Sequence, residues 1–447
     1  MDQQAARDRF AHQSILILKG LPRGSEFGYD GNLWLVDKFS ASPNRSPPTR
    51  STSSSHSPED VSSGIGTRRA LLRWFTKQRQ VIVDEWDNTG EHLRSELDSR
   101  TRKRRRTVAS LATGGTSDQQ MIVSDEYLQA LDRELAPYSD DVQQRWLQLV
   151  NFVTQETIAR VIGFDDAGNA FVEATMPSLA DEHELKQARQ KQTWGKPRSD
   201  EQRVVVVDSD EETPQDELLR FAKIDAKRSW PSGAVGSELT RWSKDKSWQL
   251  STLVSSELGG DATQLLAELQ LSFVLFALVH NFSSLATFKS IITLVCRSST
   301  LTEPPSQRLS TTDGLLTDAA MPLIASFLSV LETQLAFLDQ SFFSDHMPGL
   351  DIFLLQELDQ LNANLTDSAP TWSQLDQALP AVKVWQQLIR NWNSLSMTAT
   401  EKFGWEIKAV RGARTQGYAG YNLLRRDNEV DIEDLEEGED APVIVET

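Results

Sequence analysis

The spacing of apolar residues changes period along this chain. Up to residue 87 they come in short runs rich in branched and aromatic side chains. Ile15-Leu16-Ile17-Leu18, Ala70-Leu71-Leu72-Arg73-Trp74-Phe75 and Gln80-Val81-Ile82-Val83-Asp84-Glu85-Trp86-Asp87 are of this kind. Such residues fit a pleated, half-buried surface, so the runs predict strands. After the first run, glycines recur at 20, 24, 28 and 31, with Pro22 between the first two. That density predicts a pair of turns and a second strand starting near Trp34.

From Ser124 the period becomes helical. Tyr127, Leu128, Leu131 and Leu135 predict one helix, ended by Pro137, and Val142, Trp146, Leu149, Val150 and Val153 predict another. Residues 251–408 are helical throughout. Asp261 with Gln264 has the form of a capping box, and Leu265, Leu269, Phe273, Phe276 and His280 make one apolar stripe. Phe288, Ile291, Ile292 and Val295 continue it on a partner helix. Further amphipathic segments cover 323–338, 352–361 and 382–392, with Pro380 at a first helical position. Short antiparallel helices of this kind bury one stripe each against their neighbours.

Polar stretches divide these patterns. Residues 40–67 and 98–120 are Ser-, Pro- or Arg-rich and predict disordered loops, because they hold too little apolar surface to offset ordering entropy. The chain therefore reads as α+β: a β-rich N-terminal domain over 12–180, a linker over 181–250, a helical domain over 251–408 and an acidic tail over 409–447. Nine of the fourteen residues from Asp427 to Asp440 are acidic, and a β-prone run, Pro442, Val443, Ile444 and Val445, follows them. Such a run can add a strand to a sheet edge on a partner or on the chain's own first domain, so these four are the candidate protein-binding residues.

Composition narrows the partners. Forty-six basic against 64 acidic side chains give a net charge of −18, which repels phosphate backbones and favours basic or extended protein partners over nucleic acid. Cys296 is the one cysteine, so no internal disulfide forms, which fits a reducing compartment. The longest apolar-rich stretch, 269–279, falls short of the ~20 residues that span a bilayer. With no leader-like N-terminus, the expectation is a soluble intracellular protein with no membrane partner.

Catalytic chemistry finds few candidates. Gly20 and Gly24 are three residues apart and no lysine precedes Ser25, so the glycine loop does not match a phosphate-binding loop. None of His12, His56, His92, His183, His280 and His346 stands four residues from another, as a zinc helix needs. Cys296 beside Arg297 reads as a reactive thiol or a buried structural one, the second being favoured, and His280 reads as a core or boundary histidine. The expectation is no catalytic, cofactor-binding or metal-binding residue. Two other motifs concern partners. Arg102, Lys103, Arg104, Arg105 and Arg106 read equally as a nuclear localisation signal or a solvated loop. Val204, Val205, Val206 and Val207, ahead of an acidic block, have the form of a SUMO-binding strand, against a favoured reading as plain linker. Trp230, Trp242 and Trp248 crowd a region poor in other apolar residues and suit either a contact surface or packing along the helices.

Several stretches, in order, resemble the A1-cistron splicing factor family, in a fungal form. Residues 18–30 look like its G-x-P-x-G-x-E-F-G-x-D opening, followed by Trp34 and Lys38-Phe39. Leu131, Pro137-Tyr138, Trp146, Leu149, Asn151-Phe152 and Glu156-Thr157 resemble its helical pair. Lys227-Arg228-Ser229-Trp230 and Asp245-Lys246-Ser247-Trp248 resemble its inter-domain segment. Glu268-Leu269-Gln270, Phe273-Val274 and Leu294-Val295-Cys296-Arg297-Ser298 are similar to its central helices. Lys402-Phe403-Gly404-Trp405 and the final Ala441-Pro442-Val443-Ile444-Val445-Glu446 look like its end. One departure is plain: where the family has a glycine and then Ile-Pro-Pro-Gly-x-His, Phe39 runs into Ser40-Ala41-Ser42-Pro43.

The resemblance implies a β-rich, sandwich-like first domain with appended helices, then a VHS-like helical domain. It implies a non-catalytic assembly factor for the spliceosomal U5 snRNP in pre-mRNA splicing, found in cytoplasm and nucleus and monomeric when free. Its implied partners are the U5 snRNP precursor and the large U5 scaffold protein, bound at RNase-H-like and MPN-type domains with the helicase held off until maturation. The alternative is a SUMO-dependent nuclear adaptor.

Overall fold

The computed structural model describes residues 14–22, 26–35, 43–46, 52–57, 68–74, 81–87, 92–93, 140–165, 168–193, 217–225, 228–305, 316 and 319–411. Both strands and helices are present, as an α+β chain requires. Strands β1 (Ser14–Lys19), β4 (Pro43–Ser46), β7 (Val81–Asp87) and β8 (His92–Leu93) form one sheet in the order β4-β1-β7-β8. Strands β2 (Glu26–Tyr29), β3 (Asn32–Leu35), β5 (Thr52–Ser57), β6 (Arg69–Arg73) and β9 (Asn169–Glu173) form a second, ordered β3-β2-β5-β6-β9. Among the described strands β1 and β7 pair in parallel, with Ile15 opposite Val81 and Leu18 opposite Asp84, and the other strand pairs are antiparallel. Leu16, Leu18 and Trp86 of the first sheet meet Phe27 and Tyr29 of the second in a small shared core. Arg73 and Asp84 tie the sheets further, in a buried ion pair at 3.0 Å.

The stretch read as a disordered loop over 40–67 contains β4 and β5. Strand pairing uses backbone N–H and C=O groups, so a Ser-rich segment can be held between two better strands with no apolar signal of its own. Here β5 lies antiparallel between β2 and β6, with Ser55 opposite both Gly28 and Ala70.

The other face of the second sheet is turned to the helices. Side chains alternate along a strand, so Ala70 and Leu72 share a face, as do their neighbours Val172 and Ala170. All four belong to one hydrophobic core that continues through the helices. That core is built around α6 (Thr263–Val279) and its antiparallel partner α7 (Phe282–Cys296). The sequence pattern predicts a single buried stripe on α6. The structure buries it all round, with Leu266, Leu271, Val274 and Leu275 enclosed as fully as Leu265 and Leu269. A helix apolar on every side belongs in the centre, and α6 has the sheet on one side and other helices on the other.

Helix α8 (Ala320–Phe337) packs along α11 (Pro380–Phe403) and against α6. By length and composition α8 could cross a bilayer. It lies instead inside the body, with Ile324, Phe327 and Leu328 fully enclosed. Helix α10 (Leu350–Gln374) runs well beyond the predicted 352–361 and contains Pro370. The ring removes one helical hydrogen bond, but Trp372, just beyond it, is anchored. Its indole N–H donates to the Thr302 carbonyl at 2.8 Å, and its ring stacks on Trp385 of α11 at 5.4 Å.

The segment read as linker over 181–250 carries α3 (Leu179–Thr193), α4 (Gly236–Lys244) and α5 (Ser247–Ser256). Ser178 and Asp181 cap α3 reciprocally: the Ser178 N–H and hydroxyl donate to the carboxylate, and the Asp181 N–H donates back to Ser178 Oγ. Leu218 and Leu219 are buried, and backbone bonds from Leu219 N–H to the Pro177 carbonyl and from Arg220 N–H to the Val161 carbonyl fasten that stretch. Trp242 is buried, with Trp230 and Trp248 packed against the same core.

The glycine-rich opening is a hairpin. Asp30 and Gly31 both have positive φ, 47° and 82°, the pattern of a two-residue turn matched to strand twist. A Cβ on Gly31 would stand 2.2 Å from Cζ of Phe337, so the tip of the first hairpin rests on the end of α8. Gly31→Ala combines left-handed backbone strain with overpacking. It is expected to lower stability by about 2–4 kcal/mol in urea unfolding of the full chain.

Candidate functional site

The chain's apolar central helix carries polar residues that have no reason to be there except partnership. Glu268, Gln270 and Ser272 sit in α6 and are almost completely enclosed. An isolated carboxylate in such a place is costly, so Glu268 must be paired and hydrogen-bonded. It is met by Arg160 from α2 (Gln155–Val161) in an ion pair. Both its oxygens also accept from the Ala222 backbone N–H, at 3.1 and 3.0 Å. Burial pushes the Glu268 pKa up, Arg160 and the Ala222 N–H pull it back, and the net direction is upward.

The neighbouring amides extend the contact. Gln264 accepts from the Thr157 hydroxyl at 3.2 Å, so it turns to α2 rather than closing the capping box expected with Asp261. Asp261 instead accepts from the N–H and hydroxyl of Thr263. Gln270 bonds the turn between α1 (Asp140–Leu149) and α2 at both ends of its amide: Nε2 donates to Asn151 at 2.7 Å and Oε1 accepts from the Phe152 N–H at 2.8 Å. Thr154 caps α2 by accepting from the Thr157 N–H, which fixes the helix that carries Arg160.

Farther along, Asn281 stands between α6 and α7. Its Oδ1 accepts from the Ser284 N–H and hydroxyl, capping α7. Its Nδ2 faces the carbonyls of Glu173, Ala174 and Met176 at 3.0, 3.2 and 2.8 Å, which binds the end of β9. Arg68 reaches the Leu278 carbonyl at 3.3 Å and Glu26 at 3.0 Å. His280, beside Asn281, is the left-handed C-cap of α6 and is exposed.

Three further polar joints lie among the helices. Asp245 accepts from Ser247 on one oxygen and from Thr300 on the other, joining α5 to the 3₁₀ turn at Ser299–Thr302. Lys246 Nζ donates to Ser229 and to the Ser243 carbonyl, both at 2.7 Å. Arg297 forks onto both oxygens of buried Glu357 at 2.9 and 2.6 Å. Cys296 is fully enclosed, and burial pushes its thiol pKa well above the ordinary value, which fits the structural reading.

These are joints rather than a reaction centre. Among the described residues no three His, Cys, Asp or Glu side chains gather to hold a metal ion. The geometry fastens the N-terminal sheets and the helices into one body. The residues expected to bind partners fall elsewhere: Arg102 to Arg106, Val204 to Val207 and Pro442 to Val445 lie outside the described residues.

Residues 12–163 match the family model of the AAR2 N-terminal domain, and residues 221–408 that of the AAR2 C-terminal repeat region. The chain belongs to the AAR2 family, that of the A1-cistron splicing factors. It is similar to the human protein AAR2 homolog, 24% identical over 80% of this chain and 84% of the relative. It is 25% identical to the mouse homolog over the same shares, and 26% identical to the Caenorhabditis elegans homolog over 80% of this chain and 88% of that one. The two AAR2 matches meet the joint from either side: Arg160 and Thr157 lie in the first, Ala222, Gln264 and Glu268 in the second.

Two outcomes follow for this AAR2-family chain. Arg160→Ala leaves the buried Glu268 carboxylate without its cation. Breaking a buried pair costs roughly 3–5 kcal/mol, and Arg160 is partly exposed, so a loss of about 2–3 kcal/mol is expected. Without Arg160 the folded-state pKa of Glu268 rises further above its unfolded value. The loss therefore grows as pH rises from the ordinary carboxylate range, and urea titrations at pH 5 and pH 8 would show the larger deficit at pH 8. In the native full chain Cys296 is expected to resist a chromogenic disulfide reagent and to react once the chain is unfolded.

Proposed function

We propose that this chain is a non-catalytic assembly factor for the spliceosomal U5 snRNP. It binds the large U5 scaffold protein at its RNase-H-like and MPN-type domains on precursor particles and holds off the helicase until maturation. The observation that carries this reading is family membership: both AAR2 regions are present, and the curated relatives cover the same span. The polar joint through Glu268 and Asn281 supports it physically. A binding factor that must present sheet and helix surfaces together benefits from a fixed relation between them, because pre-organisation lowers the cost of binding.

In this reading Pro442, Val443, Ile444 and Val445 form the strand-adding segment, tethered by the acidic stretch before them. The chain acts as a monomer when free, in both cytoplasm and nucleus, without contacting nucleic acid directly; its charge of −18 favours protein over phosphate.

Titration of the full chain against the scaffold's RNase-H-like and MPN-type domains tests the reading; absence of binding overturns it. Deleting residues 441–447 is expected to weaken binding by at least about 1–2 kcal/mol, since each main-chain bond of an added strand nets about 1. Unchanged affinity would remove the tail from the mechanism and leave the rest of the reading standing.

A further inference from the structure

The helical body ends in a turn that folds back on itself. Gly404 takes a left-handed conformation and stops α11, and its N–H and that of Trp405 bond the Thr400 and Ala399 carbonyls. Trp405 is thereby laid beside Phe403 at 5.4 Å and Phe343 at 5.1 Å, and these two meet edge to face at 4.9 Å. Next to the rings, Pro348 and Gly349 turn the chain into α10 and leave Ile352 58% exposed. Together these residues line an open groove, with Asp351 in its wall.

The rim is acidic. Besides Asp351, Asp339 and Asp345 stand exposed on the connection between α8 and α10, which includes α9 (Phe342–Asp345). One cation shares this end with the carboxylates: Lys402 donates to the Ala336 carbonyl at 2.6 Å and lies over the Phe403 ring, 5.8 Å from its centroid. An aromatic floor with carboxylates on its edge suits one kind of ligand: an extended segment with aromatic or aliphatic anchors next to arginine or lysine.

The chain carries such a segment close by. Residues 411–426 hold four arginines and no acid, with Tyr418, Tyr421, Leu423 and Leu424 as anchors and Arg425-Arg426 directly after them. At Asp427 the charge reverses to the acidic block. The description stops at Arg411, six positions past Trp405, and Tyr421 is ten residues farther on, a reach of roughly 30 Å when extended. We propose that residues 418–426 dock in the groove of their own chain, with apolar side chains on the Phe343, Phe403 and Trp405 rings and Arg425-Arg426 against the rim carboxylates. Tethering favours this occupant over a free one, because it raises the effective concentration at the groove. This inference does not rest on the U5 reading.

Cys296 is fully enclosed, so two introduced cysteines form the accessible pair in the full-length chain. Under mild oxidation Ile352→Cys with Leu424→Cys is expected to give an intramolecular disulfide, read as a faster band on a non-reducing gel. Its yield should exceed by at least about fivefold that of Val235→Cys with Leu424→Cys, a control at a 75% exposed site on α4's flank. Adding Arg425→Glu and Arg426→Glu should remove most of that excess, since exposed charge pairs are worth up to about a fivefold effect. Equal yields for the two pairs overturn the proposal, and so does a product that is wholly a disulfide-linked dimer, which would assign the groove to a second copy. A groove pair unmoved by the charge reversal overturns the part assigned to Arg425 and Arg426.

Discussion

A carboxylate in the middle of an apolar helix governs this structure. Glu268 is enclosed on all sides, and its burial is tolerable only where Arg160 and the Ala222 N–H supply opposite charge and donors. Those partners come from separate parts of the chain. Arg160 brings α2, Ala222 brings the stretch after residue 217, and α6 is the hub of the helices. Satisfying one side chain therefore fixes three segments at once. Gln264, Gln270 and Asn281 repeat the device along the same helix and its end, each using a side-chain amide to hold backbone or a polar side chain of the N-terminal part.

Apolar burial alone would not have this effect. It is non-directional, and sheet and helix faces lined by Ala, Leu and Val can slide with little change in area. Buried hydrogen bonds are directional and costly to leave unmade, so they select one register from the many that apolar contact permits. The core supplies the bulk of the stabilisation and the polar joint supplies the orientation.

Much of the fold was legible in the sequence, and the reason differs by element. β1, β6 and β7 announced themselves through branched and aromatic runs. The helices after residue 251 did so through period, and Pro380 marked the start of α11. β5 was not legible, because its residues are Thr, Ser and His and its place depends on the backbones beside it. α3 and α4 were hidden by charge: a helix capped at Ser178 and Asp181 with a largely exposed surface looks like linker when only hydropathy is weighed, whereas α5 is uncharged but serine-rich and straddles the boundary drawn at residue 250. The joint itself left a trace in Glu268, Gln270 and Ser272, three polar residues interrupting an apolar helix. Their partners at Arg160, Asn151 and Ala222 were beyond reach, because no local pattern joins positions so far apart. The motifs expected to meet partners lie outside the described residues, so their reading still comes from sequence.

The contact between Gly31 and Phe337 also bears on how the chain is made. The hairpin that carries Gly31 leaves the ribosome early, and the helix end that covers it leaves late. β9, which completes the second sheet, likewise arrives only after α1 and α2. Until α8 has been made, its Phe337 is not there to cover the hairpin tip at Gly31. Long-range closure of this kind is slow and leaves strand edges open meanwhile. The nascent N-terminal half is thus the stage at which this protein most needs protection from aggregation.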